Sequence, residues 1–229
     1  SFPTRRSSDL SKWTAAVQAI QQAIDLDAFD FSSLGLMMVP SGSVTGPACI
    51  FNLPVSCRAP AAPQVALADA GTAKTSAASG VRATIKTTLA NTSVDNGLGD
   101  ASPLYAGLNN AIAALQSYQV SPNGGGKRIL LVVSDGTLSC GQLANRPGFS
   151  DCNNCDHDWE DPNNIVSLVS MAKKDALKPI DTFMVGVPGS DTYDPSGCNE
   201  PPYYMRLALS AIGYAGSPEN APAGCTGKT

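Results

Sequence analysis

The chain has a single histidine, His157, among 229 residues. That one imidazole limits Ser-His-Asp catalysis and His-rich metal binding to whatever His157 can reach. Charge is sparse: 15% of residues are charged, with 15 Lys plus Arg against 19 Asp plus Glu and a net charge of −4. The basic footprint of a nucleic-acid binder is therefore missing. No apolar run approaches the roughly 18 residues that a membrane-spanning helix needs. No Gly-x-Ser-x-Gly nucleophile elbow occurs. No signal peptide stands at the start, so the chain reads as a mature form or a fragment. What is present is apolar material: 43% of residues are hydrophobic, in a chain long enough to bury a core.

Seven cysteines, Cys49, Cys57, Cys140, Cys152, Cys155, Cys198 and Cys225, lie in stretches rich in Gly, Pro, Asn or Asp. Core cysteines would sit in apolar runs. Loop cysteines in this number point to disulfides and an oxidising compartment, hence an extracellular, cell-surface or periplasmic location. Seven is odd, so one is unpaired or pairs outside the chain. Cys152 and Cys155 have zinc-like spacing, with Cys140 and His157 nearby. The compartment favours disulfides over zinc, and the pairing stays open.

Residues 1–10, SFPTRRSSDL, resemble the translation of a short-read sequencing adapter and are expected to be non-native. Residues 11–229 are expected to form one domain. Trp13, Val17, Ile20 and Ile24 fall at helical spacing amid alanines. Residues 34–39 read as a buried strand. An excursion over 40–64, rich in Pro, Gly and Ala, holds Cys49 and Cys57 and reads as a loop or hairpin. A short strand over 64–67 follows, then a helix carrying Val81, Ile85 and Leu89. Ser102-Pro103 reads as a helix start, with a capping hydroxyl and a proline in the first turn. Leu104, Leu108, Ile112 and Leu115 form that helix's stripe. Residues 129–133 form an apolar, β-branched strand that runs into Ser134-Asp135-Gly136. A long Cys-rich acidic loop over 136–160 ends near Asp161-Pro162, a second helix start. Residues 183–187 read as a strand and 202–212 as a helix. Buried strands alternating with helices indicate an α/β fold with a mostly parallel sheet, which binds ligands at the carboxyl ends of its strands.

Ser102 and Asp135 form the sharpest constellation. Asp135 lies just past the end of a buried strand and Ser102 opens a helix. A hydroxyl and a carboxylate are hard oxygen donors suited to Mg²⁺. With residues 12–24 as first helix, Gly99 to Leu108, and Ile129 to Gly136 ending in a Ser-Asp-Gly turn, the chain resembles the von Willebrand factor A domain family over about residues 11–217. The resemblance implies a Rossmann-like, doubly wound sheet flanked by helices and a metal-ion-dependent adhesion site. In that site Ser102 would stand at the family's Thr position and Asp135 at its third-loop Asp. The family's Asp-x-Ser-x-Ser loop, and the central first strand before it, would precede Ser11 and are expected to be missing. Such a strand buries about five apolar side chains at ~1.5–3 kcal/mol each, comparable to a domain's whole stability of about 5–15 kcal/mol. This chain alone is accordingly expected to be unstable and to bind Mg²⁺, or Mn²⁺ or Ca²⁺ in its place, weakly.

The resemblance implies an adhesion or protein-binding module and not an enzyme. A metal ion at the strand rim would take an acidic side chain of a protein or surface polymer. The alternatives are a metal-assisted hydrolase on the same fold, for which His157 is the one histidine base, and a disulfide-stabilised structural domain without a working metal site. Other motifs fail on context. Gly124-Gly125-Gly126-Lys127 precedes a strand where a phosphate loop must follow one, and Gly227-Lys228-Thr229 has no helix after it. Ser170 and Lys173 have Ser-x-x-Lys spacing without companion motifs.

Overall fold

The structure is a computed structural model. It describes residues 7–39, 49–50, 53–54, 59–76, 79–92, 103–119, 126–134, 162–187, 193–194 and 203–222. In chain order the elements are α1 (Ser7–Ala23), β1 (Ser33–Leu36), β2 (Cys49–Ile50), β3 (Leu53–Pro54), β4 (Val65–Asp69), α2 (Ala73–Ser76), α3 (Gly80–Asn91), α4 (Leu104–Ser117), β5 (Arg128–Ser134), α5 (Pro162–Lys173), β6 (Ile180–Gly186), β7 (Tyr193–Asp194), β8 (Tyr203–Tyr204) and α6 (Met205–Gly216). The chain is mixed α/β. It divides into two compact units, one of Ser1–Met38 with Pro60–Gly97, the other of Val39–Ala59 with Leu98–Thr229. No described helix is long and apolar enough to cross a membrane.

In the first unit β1 and β4 pair antiparallel, with a bulge between Leu34 and Leu36. Gly35 sits at that bulge because the strands approach too closely for a side chain: a Cβ there would lie 3.1 Å from the Val65 carbonyl oxygen. Beyond the strand, Gln64 substitutes for a peptide group. Its Oε1 accepts from the Met38 N–H (2.8 Å) and its Nε2 donates to the Met38 carbonyl (2.9 Å). The core is Ile24, Val65, Ala70, Val81, Ile85 and Leu89, with Trp13, Val17, Ile20, Leu34, Leu36 and Met38 packed against it. The stripes expected on α1 and α3 therefore face a common core. Trp13 also spends its indole N–H on the Thr92 carbonyl at 3.3 Å.

In the second unit β5 and β6 pair parallel and in unbroken register, from Arg128 opposite Ile180 to Ser134 opposite Gly186. The connection between them contains α5, as a parallel pair requires. Ten residues from α4, α5, β6 and α6 form one apolar cluster: Leu104, Leu108, Ile112, Ile165, Leu168, Val169, Ala172, Ile180, Ala208 and Ile212. Leu130, Val132 and Met184 join it from the sheet. Two short antiparallel pairs complete the unit, β2–β3 within the 40–64 excursion and β7–β8 just ahead of α6.

The structure differs from the sequence expectations at several places. The buried strand expected over 34–39 is β1, which ends at Leu36 and alternates exposed and half-buried residues. The mostly parallel sheet is realised only in β5–β6; the other long pair, β1–β4, is antiparallel. Strand β5 is not buried on both faces: Ile129 and Leu131 are 53% and 54% exposed, alternating with half-buried Leu130 and Val132. The strand expected over 183–187 is β6, which starts at Ile180 and ends at Gly186, because Asp181 and Thr182 enter the sheet despite their polarity. Finally, Pro103 occupies the N-cap place of α4 itself and not its first turn, with no side-chain cap bond.

Candidate functional site

Ser102 and Asp135 both lie outside the described residues, as do Cys57, Cys140, Cys152, Cys155, His157, Cys198 and Cys225 and the whole 136–160 loop. Cys49 is described only as part of β2. What the structure defines is the frame on either side of the two proposed metal donors.

Asp135 follows Ser134, the last residue of β5. The parallel ladder holds to that residue and one step beyond, since the Ser134 carbonyl accepts the Val187 N–H at 3.0 Å. Ser102 precedes Pro103, whose side chain is fully buried and whose carbonyl accepts the Gly107 N–H at 2.9 Å. Each donor is therefore attached directly to a fixed stretch of backbone.

The direction of the helices follows from contacts at their ends. Arg128, the first residue of β5, donates from Nε to the Leu115 carbonyl (3.0 Å) and from Nη2 to the Tyr118 carbonyl (3.5 Å). Lys178, just ahead of β6, donates to the Gln116 carbonyl, and Gln116 Nε2 meets Asp175 at 3.3 Å. The carboxyl end of α4 thus lies at the amino ends of both strands, where two cations satisfy its last carbonyls. Helix α4 has 14 residues, about 21 Å at ~1.5 Å per residue. Strand β5 has 7 residues, about 23 Å at ~3.3 Å per residue. The Arg128 and Lys178 contacts fix the carboxyl end of α4 at the strand starts, and Leu104, Leu108 and Ile112 belong to the cluster that Leu130 and Val132 join.

The other helices behave alike. At the end of α5, Lys173 pairs with Asp181 near the start of β6. Along α6, a Cβ on Gly213 would face Met184 at 3.5 Å and one on Gly216 would strike the Thr182 Cβ at 2.5 Å. Moving back along α6 therefore moves forward along β6. Helix α6 thus runs against β6, and α4 and α5 end where the two parallel strands begin. Open α/β sheets take ligands at the carboxyl ends of their strands, and helix dipoles are positive at their amino ends.

The groups with perturbed titration collect at the opposite end. Hydrogen bonds to Asp181 and then Glu219 hold the Lys173 ammonium above the ordinary lysine range. The same contact with Lys173 draws the Glu219 carboxyl down. The Lys178 and Leu177 backbone N–H groups draw Asp175 down. Lys173 is thus held protonated, whereas a Ser-Lys nucleophile pair needs a lysine that gives up its proton easily. Ser170 and Lys173 both stand in α5, where Lys173 is engaged by Asp181 and Glu219.

Sequence reasoning missed Arg82. Its side chain is fully buried in the first unit. Nε donates to the Ala70 carbonyl (3.0 Å), Nη1 to the Ile24 carbonyl, and Nη2 to Asp30 Oδ1 (2.9 Å). A signal existed: Arg82, Ile85 and Leu89 share the i, i+3, i+7 spacing of an inward stripe. A cation on such a stripe implies a buried partner.

Among the described residues no group of three or more His, Cys, Asp or Glu side chains could hold a metal ion. Compared with known proteins, the chain matches no family model, no curated protein and no solved structure.

Proposed function

We propose that this protein is an extracellular binding module of von Willebrand factor A type, with a doubly wound sheet and a divalent-cation site at its strand rim, and not an enzyme. The observation that carries the reading is that α6 runs against β6 while α4 and α5 end where the parallel β5–β6 pair begins. On this reading Ser102, one residue ahead of Pro103, and Asp135, one residue past β5, would meet at one rim. A doubly wound sheet would need a second layer over Ile129, Leu131 and Val185, which stand 53%, 54% and 44% exposed.

The donors fit the ion by chemistry. Ser102 would offer a hydroxyl and Asp135 a carboxylate, both hard oxygens of the kind Mg²⁺ prefers. When bound, the cation supplies a local positive charge and an open coordination position, to which an acidic side chain of a protein or surface polymer would add its carboxylate. The chain itself contributes the anchored strand end, the anchored helix start and the positive ends of three helices, each favouring an anionic ligand atom. Seven cysteines in loop-like sequence support the extracellular assignment.

Calorimetric titration with Mg²⁺, Mn²⁺ and Ca²⁺ tests this. With the Asp-x-Ser-x-Ser loop missing, the expected result is weak binding that disappears in Asp135→Asn and weakens further in Ser102→Ala, with thermal unfolding no lower than that of the parent chain. Absence of cation binding in the folded protein would leave a disulfide-stabilised structural domain. Hydrolytic turnover abolished by His157→Ala would replace the binding module with an enzyme.

A further inference from the structure

We draw no further inference here: the strongest candidate, the apolar surface patch that Ile129, Leu131 and Val185 form on one face of the β5–β6 pair, carries nothing because no observation in the structure shows what covers it.

Discussion

The two compact units solve the same problem with opposite means. The first joins its segments through a buried charge. Arg82 reaches the end of α1, the turn before β1 and the residue after β4, and so ties three pieces of backbone with one side chain. In the second unit the buried polar residues among those described, Asp181, Thr182 and Ser217, lie near the start of β6 and just past α6. Its core is aliphatic, and its charged contacts sit at the outer ends: Arg128 and Lys178 at the end of α4, and Lys173 between Asp181 and Glu219. A short antiparallel pair with a bulge offers little face to cover, so a directional tie replaces packing area. A parallel pair comes with crossover helices whose stripes provide that area.

Removal of Arg82 should separate the units most sharply. Arg82→Met would leave Asp30 and two backbone carbonyls without their donor. Losing one partner of a buried ion pair costs about 3–5 kcal/mol. Hydrogen exchange is expected to show α3 amides losing protection while α5 and α6 amides keep theirs. Equal loss in both units would mean that the buried charge serves the whole chain.

The reverse experiment is Ile165→Ala or Ile212→Ala, each side chain fully buried in the second unit. Truncations of this kind cost about 2–5 kcal/mol, and exchange should now accelerate in α5 and α6 and not in α3. A smaller effect is expected from Gly216→Ala, whose new Cβ would meet the Thr182 carbonyl oxygen at 2.8 Å as well as its Cβ. Overpacking against backbone costs about 1–3 kcal/mol, readable as a shifted denaturant midpoint at unchanged slope.

The smallest effect concerns pH. Glu219 titrates below its ordinary 4.5 in the folded protein, so its contribution is full above that value and fades as pH falls through the lowered one. Lys173 titrates above its ordinary 10.5, so its contribution is full below that value and fades as pH climbs through the raised one. Stability from this contact is expected to be level between those limits. Glu219→Gln should shrink the acid-side loss measured by urea unfolding across pH, by a modest amount because Glu219 is half exposed. An unchanged acid limb would show that the pair adds nothing measurable.

Much of the architecture was legible from residue patterns. The stripes on α1, α3 and α4 turn inward as their spacing indicates, and 129–133 is a strand. Polar residues concealed the rest. Asp181 and Thr182 hid the first half of β6, because a strand reading looks for apolar runs, while Asp181 is buried against Lys173 and Thr182 lies beneath Gly216. Arg82 hid among the exposed-looking residues of α3. Antiparallel pairing of β1 and β4 was not readable, since a strand's own residues carry no mark of its neighbour's direction. Of the candidate site, Ser102 and Asp135 were legible as a helix start and a strand end, each by local chemistry. Both positions lie outside the described residues, so their shared rim belongs to the proposal alone.

Local order was written in the sequence because it depends on near neighbours: periodicity sets which face is apolar, and Gly, Pro and Ser set where elements begin and stop. The tertiary structure alone decided which strands pair and in what sense, that α6 runs against β6, and that a guanidinium lies in the first core. These outcomes rest on contacts between residues far apart in the chain, where packing and hydrogen-bond partners override what each residue favours by itself.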